Sequence, residues 1–144
     1  MKLPKVKIKV SITKGDKYTI TTPESVVSML REIFNADTFN WTEEVVLVCL
    51  NRANVVIGVS KVSSGGFSGT VCDPKVIMTI ALQCAASNII LAHNHPSGNT
   101  TPSAGDIDVT KKVSGACKLF DMNLLDHIIL TDDSYTSLSE LGHM

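Results

Sequence analysis

The stretch LAHNHPSGNTTPSAGD, Leu91 to Asp106, carries the chain from an apolar run through a loop and into a helix. Asn88 to Ala92 is too short and too apolar for anything but a buried strand, and it delivers the chain to His93 and His95. Pro96 to Pro102, rich in Gly, Asn and Thr, has the composition of a short loop that folds back. Thr101-Pro102 reads as a helix N-cap followed by proline at the first helical position, so a helix is expected to begin next to Ser103 and to run to about Lys118. A buried strand joined to a helix in this way belongs to a sheet with helices packed on it.

The flanking segments supply the other members. Asp73-Pro74 repeats the cap-and-proline signal and predicts a helix through about Ala86, with Val76, Ile77, Ile80, Ala81 and Cys84 facing inward. Val45 to Leu50 and Val55 to Val62 read as paired strands across the turn NRAN, followed by a loop over SSGGFSG. Thr22-Pro23 opens a helix to about Phe34 whose apolar stripe is Val26, Val27, Leu30, Ile33 and Phe34. Ahead of it, Lys5, Lys7 and Lys9 alternate with Val6, Ile8 and Val10, the pattern of a half-buried strand. The turn KGDK and the segment YTIT then predict a Lys-rich hairpin over residues 1–21, its lysine face suited to a sheet edge. Leu124 to Leu130 is a further strand, and a short one surrounds Tyr135. The expected class is α/β, a mixed sheet flanked by helices, in a single domain over 1–144.

At 144 residues the chain can bury a core without disulfides or a structural metal, so a metal would be there for chemistry. Thirteen basic residues against 14 acidic ones give a net charge of -1, with no general pull toward nucleic acid or anionic lipid. No apolar run approaches the roughly 20 residues of a membrane span. The N-terminus, MKLPKVKIKV, lacks the continuous apolar segment of a signal peptide, and a cytoplasmic location is expected. Cys49, Cys72, Cys84 and Cys117 form no CxxC pair and read as small buried thiols.

His93 and His95 stand at i and i+2 where a strand ends, so an extended backbone points both imidazoles the same way. Ser103 and Asp106, at i and i+3 in the first turns of a helix, share a face. Return of the loop would bring Asp106 to the histidines as a third ligand. Two imidazoles and a carboxylate leave one position open on a tetrahedral Zn²⁺, the arrangement of a catalytic site. Such a site also needs a proton acceptor and a donor to the oxyanion. Ser103 is placed for the second role, and the pair Glu43-Glu44, at the mouth of VVLVCL, offers a carboxylate for the first.

His93-Asn94-His95, seven residues, Ser103, two residues and Asp106 match the HxHx7SxxD signature of the JAMM (MPN-plus) metalloproteases. AHNHPSGNTTPSAGD, DHIIL and LNRANVVIG more closely resemble the bacterial RadC-type JAB domain, known under a DNA repair name, over about Thr22 to Gly142. The resemblance implies a three-layer fold of the kind shared with cytidine deaminases and a zinc-dependent hydrolase acting on a peptide or isopeptide bond. It implies zinc ligands His93, His95 and Asp106, Glu43 acting on water and Ser103 polarising the carbonyl. Counting back from LNRAN favours Glu43 over Glu44, although a slip of one residue exchanges them. Two departures are visible: the Lys-rich hairpin stands where many RadC proteins carry a longer helical region, and Ala104 where an acidic residue is frequent.

Plainer readings exist for each residue. Ser103 and Asp106 form a capping box with Asp in place of Glu, and His127, among apolar neighbours, reads as a hydrogen-bonded core residue or a support to a ligand. The facial triad of Fe(II) oxygenases leaves Ser103 and Glu43 without a role, and the H-x-E and P-C-x-x-C of zinc deaminases are absent. The rival function is a non-catalytic module that binds DNA or a repair partner. The lysines at 2, 5, 7, 9, 14 and 17 would be its nucleic-acid patch.

Overall fold

Residues 1–65 and 72–144 are described by the structure, a computed structural model. Three helices and a five-stranded mixed sheet follow one another as α1 (Pro23–Ile33), β1 (Glu44–Leu50), β2 (Val56–Ser64), α2 (Pro74–Gln83), β3 (Asn88–Asn94), α3 (Ala104–Leu119), β4 (Asn123–Leu130) and β5 (Tyr135–Ser137). The strand order is β2-β1-β3-β4-β5, and only β3 and β4 run parallel, joined by the crossover through α3. β1 and β3 lie at the centre and are buried along their whole length, which is why EVVLVCL and NIILA show no alternation.

The alternation is hidden in what each side chain meets. Val46, Val48, Leu50, Ile90, Ala92, Ile128 and Leu130 pack with Val26, Val27 and Leu30 of α1 on one face. Leu47, Cys49, Ile89, Leu91 and Leu124 pack with Ile77 and Ala81 of α2 and Val113 and Cys117 of α3 on the other. The sheet is therefore a layer between α1 and the α2–α3 pair, and parity fixes the side of each residue along β1 and β3, whereas in β4 the irregularity opposite Ile89 and Ile90 resets it, so Leu124 and Ile128 face opposite layers.

Several expectations change in detail. The predicted hairpin does not form: among the described residues, pairing in this region is confined to the isolated bridge between Thr19 and Val55, with Val56 N–H bonding Tyr18 O at 2.8 Å and Ile20 N–H bonding Asn54 O at 2.9 Å. Val6 and Ile8 remain 89% and 70% exposed, because the apolar side of the segment has no layer beneath it and an isolated two-stranded ribbon is marginal in water. α2 stops at Gln83, not near Ala86, since Ala85 takes a left-handed φ of 51° and closes a Schellman turn through Ala86 N–H to Ala81 O. Its buried stripe is Ile77, Met78 and Ala81, and Val76 turns outward at 41% exposure. The third cap-and-proline pair is displaced: Ser103, not Thr101, caps α3, while Thr101 N–H bonds Asn99 Oδ1 within the loop. Of the loop expected over SSGGFSG, Ser63 and Ser64 extend β2, and positions 66–69 lie outside the described residues.

Candidate metal centre

The sheet's parity assembles the site. Counting back by twos from Leu47, which faces α2 and α3, reaches Val45 and then Glu43; counting forward from Leu91 on the same face reaches His93 and then His95. Val45 pairs with His93 across the β1–β3 ladder, so Glu43 and the histidines leave the sheet at one end. β3 extends beyond Ala92 through Asn94, and His95 N–H bonds Leu130 O at 2.9 Å, which keeps the backbone extended across both histidines. α3 enters the same end with Asp106 in its first turn.

The four side chains converge. One potential ligand atom from each of Glu43, His93, His95 and Asp106 lies within 4.8 Å of all the others. The two Nε2 atoms are 2.9 Å apart, Asp106 Oδ1 is 3.3 Å from His93 Nε2 and Oδ2 is 3.3 Å from His95 Nε2. Glu43 Oε1 is 3.7 Å from His93 Nε2. Glu44 goes the other way by parity: it is buried on the opposite side and its carboxylate meets Lys61 Nζ at 3.0 Å.

Hydrogen bonds fix which nitrogens carry protons. Thr110 Oγ1 lies 2.6 Å from the Asp106 carbonyl, which can only accept, so the hydroxyl proton goes there. Thr110 Oγ1 must then accept from His127 Nδ1 at 2.6 Å, leaving His127 Nε2 bare to accept from His93 Nδ1 at 2.8 Å. The Nε2 of a neutral His93 thus presents a lone pair to the cluster. His95 Nδ1 donates to Asn99 O at 2.6 Å, which turns its Nε2 inward too. Two inward nitrogens at contact distance beside a carboxylate need a positive charge between them, and the donor set fits a metal ion.

The imidazoles and the carboxylate also shift one another. Burial pushes the Asp106 carboxyl up, but the imidazoles of His93 and His95, when they carry a proton on Nε2, more than reverse it and hold the group well below the usual carboxylate range. His95 is raised, chiefly by its bond to Asp106. Burial depresses His127 from 6.5 to about 3, so it stays neutral, as its relay role requires. Asp106 has a second duty: its Oδ2 accepts Ser103 N–H at 2.8 Å while Ser103 Oγ accepts Asp106 N–H at 3.0 Å. Asp106 belongs both to the capping box and to the four-residue cluster, so the cap orients its carboxylate.

Three participants have no motif to announce them. Asn99 contributes only a carbonyl. Thr110 follows Asp106 by four residues, on the helix face that meets the sheet, and a polar residue there signals a partner. Asn94, buried between the two histidines, points by parity into the α1 layer, where its polar atoms must be satisfied.

Residues 20–143 match the family described as RadC-like JAB domain. The chain is 35% identical to a UPF0758 protein of Caldanaerobacter subterraneus subsp. tengcongensis over 131 residues, which cover 91% of this chain and 55% of that protein. It is 37% identical to a UPF0758 protein of Halalkalibacterium halodurans over 129 residues, 90% of this chain and 54% of that one. The chain spans about half the length of the curated relatives it matches.

Proposed function

The chain belongs to the RadC-like JAB family, and on that premise we propose that it is a zinc-dependent hydrolase of JAMM type that cleaves a peptide or isopeptide bond. The observation that carries this reading is the convergence of Glu43, His93, His95 and Asp106 within 4.8 Å, with both histidines turned to present Nε2. Zn²⁺ suits a set of two imidazoles and a carboxylate with no thiolate, and His93, His95 and Asp106 would hold it. When bound, it lowers the pKa of water from 15.7 toward about 7 and polarises a carbonyl oxygen.

The chain's own groups do the rest. Glu43 takes a proton from the attacking water and passes it to the nitrogen of the leaving amine. Ser103 Oγ accepts Asp106 N–H but keeps its own proton, which it donates to the carbonyl oxygen as negative charge develops. The peptide or protein substrate is selected by surfaces outside this constellation.

The test is metal content with a two-glutamate comparison. Wild type should hold zinc stoichiometrically and His95→Ala should lose it; equal zinc in both would sink the assignment. Against a peptide library, Glu43→Gln should keep the metal and lose roughly 10² to 10⁴ in turnover. Glu44→Gln should be nearly silent, because that carboxylate is engaged with Lys61. Ser103→Ala should lose roughly 10² to 10³ in turnover.

A further inference from the structure

The geometry points to Asn94 as the positioning residue for Glu43, a role that rests on the proposed hydrolytic site and deepens it. Glu43 precedes the first residue of β1, and among the described residues no side-chain hydrogen bond orients its carboxylate, whose contact with His93 is 3.7 Å long. Its placement must come from the backbone on either side. Gly65 N–H bonds Glu43 O at 2.8 Å, and the residues on either side of Glu43 are held by one side chain. Asn94 Oδ1 accepts Glu44 N–H at 2.8 Å, and Asn94 Nδ2 donates to Thr42 O at 2.8 Å and to Phe39 O at 2.7 Å. The two residues flanking Glu43 are thus both tied to the residue that lies between His93 and His95.

The chemistry selects asparagine. The amide must present one acceptor to an N–H and two donors to carbonyls, which fixes its orientation and satisfies three backbone groups at a position 1% exposed. Aspartate would turn an oxygen toward two carbonyls, and serine or threonine cannot reach all three partners. Strand parity completes the device: the histidines project to the α3 face, so the residue between them projects to the α1 face, where the chain from Phe39 to Thr42 passes. A shift of the histidines therefore carries Glu43 with them. A displacement of about 1 Å in a reacting group is enough to cost on the order of 10²-fold in rate, so a rigid link of this kind has kinetic weight.

The test uses the full chain loaded with Co²⁺ and follows its visible spectrum against pH in wild type, Glu43→Gln, Asn94→Ala and the double variant. Removing the Glu43 carboxylate should move the spectral midpoint. Asn94→Ala should move it the same way by at least half as much, with a loss of Co²⁺ affinity smaller than the roughly 10-fold minimum expected for removing a ligand's own hydrogen-bond partner. The double variant should go no further than Glu43→Gln alone. A midpoint unmoved by Asn94→Ala, or shifts that add in the double variant, would overturn the positioning role while leaving the site intact. No shift on Glu43→Gln, or no Co²⁺ uptake by wild type, overturns the hydrolytic reading and this one with it. If Asn94→Ala does not fold, amide exchange in wild type decides: the Glu44 N–H should exchange as slowly as the N–H groups inside β1, and exchange at the rate of an open loop overturns the proposal.

Discussion

His127 donates no atom to the cluster, yet it decides which nitrogen of His93 is free. The chain of donors from His93 through His127 and Thr110 to the Asp106 carbonyl links β3 to the backbone of α3, so the two elements that bring side chains to the candidate metal site are also tied behind it. His127→Ala is expected to weaken metal binding by about 10- to 100-fold, read by competition with a chromophoric chelator, and unchanged affinity would remove the relay from the account. The same residue gives the metal-free protein an acid sensitivity of known sign. Its folded pKa, about 3, lies below the unfolded value of 6.5, so its contribution to stability is complete above 6.5 and is lost as pH falls toward 3. The raised pKa of His95 does not cancel this, because below 6.5 that residue is protonated in both states. Urea unfolding of metal-free wild type should lose stability as pH falls from 6.5 to 5, with a slope that approaches one proton well below 6.5, and His127→Gln should flatten that slope by about one proton. A slope identical in both proteins would show that His127 titrates normally.

Between residue and sheet, the helix ends record where the chain had to turn. Ala85 sits at the position after the α2 C-cap with φ of 51°, where Gly is the usual occupant, and Asp121 does the same after α3 with φ of 53°. A left-handed alanine carries a penalty of roughly 1 to 2 kcal/mol, partly offset by the greater freedom of glycine in the unfolded chain, so Ala85→Gly should stabilise by about 0.5 to 1 kcal/mol. A lower melting temperature for that variant would contradict the strain. The signals that read correctly in sequence were of this local kind: Thr22-Pro23 and Asp73-Pro74 start α1 and α2, and NRAN turns β1 into β2. Thr101-Pro102 misled because a stronger partner was available, the reciprocal bonds between Ser103 and Asp106. The hairpin misled for another reason: KVKIKV has the alternation of a strand, but alternation states which sides differ and not whether a surface exists to bury one of them. The spacing HxHx7SxxD named the four residues, whereas the layer that Asn94 enters and the proton order through Thr110 depend on neighbours distant in sequence.

Over the whole molecule, two hydrophobic clusters cover both faces of the sheet away from Glu43, His93, His95 and Asp106, so folding is expected not to rest on an ion. Chelated protein should keep a single cooperative melt, with a lower midpoint from the loss of ligand linkage; loss of cooperativity would mark the metal as structural. Charge is divided just as unevenly as the fold. Six of the 13 basic residues lie before Tyr18 with one acid, Asp16, leaving seven basic residues against 13 acidic ones in the rest of the chain. The body that carries the site is therefore acidic and repels nucleic acid, while the extended lysine segment attracts it. If DNA were the main partner, binding would come from Lys2, Lys5, Lys7, Lys9, Lys14 and Lys17, and each phosphate neutralised would contribute about -0.9 to the salt slope, for a limit near -5. Contacts that are purely electrostatic, on a segment free of strand structure, should hold duplex DNA at about 50 mM salt and release it by about 200 mM. Fluorescence anisotropy of wild type and of a variant with Lys5, Lys7 and Lys9 changed to alanine tests this, and the variant should lose most of the low-salt binding while His95→Ala loses none. A tight complex that persists at the higher salt, prefers one sequence and ignores the lysines would instead make nucleic-acid recognition a function of the folded domain and displace the proposed hydrolysis.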